Sequence, residues 1–188
     1  GITTAYPSYE ALLADPSVDI VVVATPNNFH MPLACQALEA GKAVVCEKPV
    51  TMTSEELQTI MDTADRTGSL FTVHQNRRAD ADFCAVRETV DAGLLGNVFE
   101  IVSSVTGSRG IPEGWRQYAV AGGGMMLDWG VHLIDQVMTM YADCKVTSVY
   151  CKMYHVNYKE CDDGFKLTMK FDNGAVCHVE VGTSHYID

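Results

Sequence analysis

The run Ile20-Val21-Val22-Val23-Ala24 constrains this chain more than any other stretch. A continuous β-branched run with no polar alternation is the signature of a strand buried on both faces of a parallel sheet. Its surroundings agree. Residues 9–14 read as a short helix with Ser8 as N-cap and Pro16 just past its end. Asn27 or Asn28 can cap a second helix over about 30–40, which Gly41 stops. Residues 43–46 form a second apolar strand. The segment "TSEELQTIMDTADRTG" carries a capping box at Thr53 or Ser54 and a stop at Gly68. "LFTVHQ" supplies a third strand. Strand and helix alternate with short links, so this half is doubly wound α/β.

After Asn76 the pattern changes. A helix ends at Gly93 or Gly96, and long, alternating, Val- and Thr-rich strands follow. Residues 165–171 and 175–181 flank Asp172-Asn173-Gly174, a strong hairpin signal. Residues 77–188 therefore read as a mainly antiparallel domain. Between its first two strands lie an irregular loop, 107–124, and one helix near 125–141. A loop of that length is uncommon unless it is functional.

The formal charge of −11 argues against nucleic acid as a partner, because phosphates would be repelled. No apolar run approaches a membrane span. Seven cysteines in no C-x-x-C pair leave zinc unsupported, and their placement suits reduced thiols in a cytoplasmic protein.

Ligands in doubly wound sheets bind outside the carboxyl ends of the strands. Three successive ends here are polar: "ATPNNFH", "CEKP" and "HQNRR". Singly, Asn27 reads as a helix cap, His74 as a strand-end histidine and Lys48 as a surface lysine beside Pro49. Together they point to a cleft. The second constellation is "GGGMMLDWGVHLIDQ". On one α-helix, Asp128, His132 and Asp135 share a stripe. Residues 125–141 hold no Lys, Arg or Glu, so the helix reads as buried, with that stripe facing something polar. Gly122 to Gly124 suit either a turn or a close approach to a ligand.

The order "ATPNNFH … CEKPV … HQNRR … WR … GGGMMLDWGVHLID" resembles the glucose–fructose oxidoreductase / inositol dehydrogenase / MocA family, which oxidises sugars and polyols with NAD or NADP. The resemblance implies a Rossmann domain over 1–76 and a substrate and oligomerisation domain over 77–188. It implies Lys48 and His132 at the reacting hydroxyl, His132 as general base, and Asp128 positioning substrate or the histidine. Thr25, Pro26, Asn27, His30, Glu47, Gln75 and Asn76 would line the cofactor, and Trp115 and Arg116 would contact the polyol. Asp135 would support the helix. An ammonium from one domain and an imidazole from the other must then converge on one carbinol.

The family opens with a strand, a G-x-G-x-x-G turn and a further strand ending in an acidic residue, which these residues lack. The expectation is a central fragment with poor cofactor affinity and an exposed apolar edge at 20–24 that drives homo-oligomers or swapping. Competing readings are a non-catalytic binding module and a relative using its cofactor transiently in isomerisation or glycoside cleavage. Metal-dependent hydrolysis on Asp128 and His132 is more remote.

Overall fold

A computed structural model describes residues 2–185 and divides into two compact units, Gly1–His74 and Gln75–Asp188. In the first, β1 (Ile20–Val23), β2 (Ala43–Glu47) and β3 (Phe71–His74) form a parallel sheet in the order β1-β2-β3. Helices α1 (Tyr9–Ala14), α2 (His30–Glu39) and α3 (Ser54–Thr67) accompany it. Ser8 caps α1, accepting from Ala11 N. Thr53 caps α3, accepting from Glu56 N, while Glu56 reaches back to Met52 N. Gly68 closes α3 in the left-handed conformation at φ +68°. Phe29, rather than Asn27 or Asn28, occupies the N-cap position of α2, behind a 3₁₀ turn, Asn27–Phe29.

The sheet corrects one expectation. β1 is buried on a single face: Val21 and Val23 are 6% and 3% exposed, whereas Ile20 and Val22 are 59% and 64% exposed. Val21 pairs Val44, and Val23 pairs Cys46, so these residues share a face. Ala34, Ala37 and Leu38 of α2 and Ile60 of α3 pack against that face, and Leu12 and Leu13 of α1 join them. Consecutive crossovers of one hand, stepping the same way along a sheet, put their helices on the same side. Burial pushes the Cys46 thiol up to about 12, so this residue packs as a small hydrophobe.

The second unit contains α4 (Ala81–Asp91), β4 (Glu100–Thr106), α5 (Val131–Met140), β5 (Val146–Tyr154), β6 (Gly164–Phe171) and β7 (Val176–Gly182). The sheet order is β4-β7-β6-β5. Its β5–β6 and β6–β7 pairs are antiparallel and β4–β7 is parallel, a mainly antiparallel sheet. The hairpin at 172–174 forms as its sequence indicates. Gly174 takes φ +88°, and Asn173 Oδ1 accepts from Ala175 N. Phe165, Leu167, Met169, Phe171, Cys177 and Val179 form the inner face of this sheet, with Leu133 and Val137 of α5 in the same core. Among the described residues, no helix is long and apolar enough to cross a membrane.

Candidate functional site

Within the first unit the three polar strand ends are tied together. His30, fully buried at the start of α2, places Nε2 2.9 Å from the Thr25 carbonyl and Nδ1 2.7 Å from the Pro49 carbonyl. The imidazole thus joins the segment after β1 to the segment after β2. A neutral ring can donate to only one of these oxygens. The next link is Glu47, the last residue of β2, whose Oε1 lies 2.7 Å from His74 Nδ1 at the end of β3. Burial works to raise the Glu47 carboxyl pKa, but the hydrogen bond and charge of His74 outweigh it, and the net shift is downward. Glu47 also accepts from Lys48 N at 3.3 Å. The Lys48–Pro49 peptide is cis. Thr25, Pro26, Asn27, His30, Glu47 and Lys48 therefore share one end of this sheet.

These residues fit a bound dinucleotide on a structural ground. Thr25 Oγ1 and Asn28 Oδ1 are buried and find no hydrogen-bond partner among the described residues. Unmet buried acceptors are costly unless a ligand or water meets them. In the second unit the Oε1 of Gln75 is in the same condition. Asn76 follows it, opening a 3₁₀ turn over Asn76–Ala79.

The second unit gathers the other candidates. The expected single α-helix over 125–141 is instead a π turn, Met126–Gly130, followed by α5. Val131 N donates to Met126 O, the five-residue step that defines the turn. α-Helical spacing therefore does not set the Asp128–His132 relationship, which the stripe argument assumed. Such turns inside helices are frequent at functional sites. Asp128 Oδ1 accepts from Arg116 Nε at 3.3 Å, and the Arg116 guanidinium lies 4.6 Å from the centre of the Trp115 ring. His132 is 4% exposed, and its ring stands edge-on to Trp129 at 6.1 Å. Trp115, Arg116 and Asp128 thus form one connected group on the π turn and its neighbouring loop, and His132 follows on α5.

Asp135 is bound twice by Arg78, which accounts for that part of the polar stripe. Not all of the helix is buried, since Met138 is exposed. At Gly123 and Gly124 the Gly-rich turn packs closely on protein. A Cβ on Gly123 would overlap the Arg116 carbonyl, and one on Gly124, at φ +102°, would overlap the Asp162 carboxylate.

Sequence reading missed several participants. Asp162 Oδ2 accepts from Met126 N at 2.9 Å and its carbonyl accepts from Met125 N at 3.0 Å, so it caps the π turn. Burial pushes its carboxyl pKa up, against the opposing hydrogen bond from Met126. Arg77 stacks 4.2 Å over Trp129 and accepts from Gln136 Nε2 through its carbonyl. The pair "RR" after Asn76 was the available signal for Arg77 and Arg78. Nothing in the sequence marked Asp162, which lies 36 residues from its partner.

A family described as "Oxidoreductase family, NAD-binding Rossmann fold" matches residues 1–75, and "GFO/IDH/MocA C-terminal domain" matches residues 83–188. The chain superposes on an NAD-binding protein from Listeria innocua with a TM-score of 0.94 and 51% identity, covering 97% of this chain and 54% of that one. An uncharacterised oxidoreductase of Schizosaccharomyces pombe is 35% identical over 88% of this chain and 46% of its own length. The scyllo-inositol 2-dehydrogenase (NADP(+)) IolW of Bacillus subtilis is 33% identical over 86% of this chain and 45% of its own. The chain spans about half the length of the curated relatives it matches.

Proposed function

The chain belongs to the GFO/IDH/MocA oxidoreductase family, and from that premise we propose that the protein oxidises a secondary alcohol of a sugar, an inositol or a related polyol. NAD or NADP, when bound, would supply the acceptor for the hydride of the carbinol carbon. Its binding falls to Thr25, Pro26, Asn27, Glu47, Gln75 and Asn76. The unmet oxygens of Thr25 and Gln75 support this assignment. His30 shapes the site by joining the Thr25 and Pro49 carbonyls.

The single observation that carries the reading is the π turn. It presents Asp128, held by Arg116, four residues before the buried His132. His132 takes the hydroxyl proton; imidazole has an unperturbed pKa near neutrality, which suits a general base. Lys48, in the first unit, is assigned the electrostatic role: its ammonium favours negative charge developing on an alcohol oxygen. Asp128 positions the substrate, and Trp115 with Arg116 contacts its remaining hydroxyls. The protein assembles as a homo-oligomer in this reading. Support comes from Val102 and Tyr150, exposed apolar residues in one cross-strand row of the outer face of the second sheet.

The test is a survey of inositols, aldoses and glycosides with NAD and with NADP, following net nicotinamide reduction by absorbance. Reduction that disappears in Lys48→Ala and in His132→Ala sustains the proposal. A folded protein that reduces neither cofactor with any polyol overturns it. Turnover of a sugar without net reduction would assign the transient use of cofactor instead.

A further inference from the structure

Among the described residues, one arginine differs from the rest. Arg66, Arg77, Arg78, Arg87 and Arg116 each pair with an aspartate or glutamate. Arg109 has no such partner, in a chain with 24 acidic residues against 13 basic ones. Carboxylates are in surplus, so this guanidinium is not unpaired for want of them. It lines a hollow of about 360 Å³ that lies wholly within the second unit. Thr106 and Ser108 bring hydroxyls to that hollow, Thr183 lines it with its own hydroxyl bound to the Asp163 carbonyl, Trp129 brings apolar surface, and no acidic residue among those described lines it. The volume falls in the range of small-molecule sites.

The loop that presents Arg109 is anchored. Gly107 N donates to Gly182 O at 2.8 Å and Gly110 N to Thr183 O at 3.0 Å. Gly110 takes φ +74°, and a Cβ there would sit 2.8 Å from Tyr158 Oη. Tyr158 in turn donates to the Ile111 carbonyl at 3.3 Å. Met125 immediately precedes the π turn and Trp129 lies on it beside Asp128, so the hollow adjoins the segment assigned to chemistry.

We propose that this hollow is the specificity pocket of the oxidoreductase, and that Arg109 selects sugars bearing an anionic substituent. The inference rests on the functional reading above. Trp129 forms an apolar floor for the ring carbons, and the Thr106 and Ser108 hydroxyls meet ring hydroxyls. The planar guanidinium fork matches two oxygens of a carboxylate or of a phosphate.

The experiment compares glucose, glucuronate and glucose-6-phosphate as ligands and substrates of the full-length protein, Arg109→Gln and Arg109→Lys. Binding is measured by calorimetry and turnover by kcat/KM. The expected result is that one or both anionic sugars are preferred over glucose. That preference falls about tenfold or more in Arg109→Gln, as for loss of a partly exposed charge-assisted contact, and is partly kept in Arg109→Lys. The relative standing of glucuronate and glucose-6-phosphate identifies the anion. An anion-to-neutral ratio unchanged in Arg109→Gln overturns the proposal, as does calorimetric binding of both anions no tighter than that of glucose. Arg109-dependent binding without turnover would uphold the pocket while removing the oxidoreductase reading. Turnover of neutral sugars with no role for Arg109 would do the reverse.

Discussion

Arg78 holds both carboxylate oxygens of Asp135, Nε to Oδ2 at 2.7 Å and Nη2 to Oδ1 at 2.6 Å. The two residues are 57 apart in sequence, and the pair fastens the turn after Gln75 to α5. Arg78 is 55% exposed, which weakens the pair, while the fork geometry strengthens it. A double-mutant cycle of Arg78→Ala and Asp135→Ala, followed by urea unfolding, should give a coupling energy of about 1 kcal/mol. Additive effects would mean that the pair contributes nothing to holding the turn.

Gly124→Ala should destabilise the protein by roughly 2 kcal/mol or more, because positive φ and the overlap with Asp162 act together. Gly41→Ala is the control: φ is +74°, yet nothing lies near the added Cβ. It should cost about 1 kcal/mol. Equal unfolding midpoints for the two variants would show that Asp162 yields freely, against its role as a cap.

The acid limb of stability should report Asp15. Its carboxyl accepts from the Ser17 hydroxyl, the Tyr6 hydroxyl and Ser17 N, and these hold its pKa at about 2 against an ordinary 3.8. A depressed pKa gives stability that is fully present above the unfolded value. That stability declines as pH falls from 3.8 toward 2. Glu47, also shifted downward, acts in the same sense. Unfolding measured between neutrality and strong acid should show a shallower acid decline in Asp15→Asn. A curve parallel to wild type would refute the assignment.

Steady-state kinetics separate the two assigned catalytic groups from their supports. Lys48→Ala and His132→Asn should each lower kcat by about 10²- to 10⁴-fold. Arg116→Gln, which removes one partner of Asp128 and, in the proposed reading, one substrate contact, should raise KM more than it lowers kcat. A His132→Asn enzyme with near-normal kcat would remove the histidine from proton transfer.

Local chemistry was legible in the sequence. Ser8, Thr53 and Gly68 punctuate their helices as their residue types dictate, and Asp172-Asn173-Gly174 closes the hairpin between β6 and β7. The β-branched run located β1, but its composition could not say whether Ile20 and Val22 would be covered. Coverage depends on where other helices travel. The π turn left no signal, because a shifted hydrogen bond changes no residue type. Distant pairs such as Arg116–Asp128 and Asp162–Met126 depend on tertiary placement, so polarity alone suggested the site without supplying its partners.

The widened turn at Met126–Gly130 also limits which changes in length this segment tolerates. Deleting one residue there would let ordinary helical pitch resume and swing everything upstream by about 100° around the axis. Asp128 would then turn away from His132 although neither side chain had been altered. One surplus peptide unit thus keeps the phase between the acid and the imidazole.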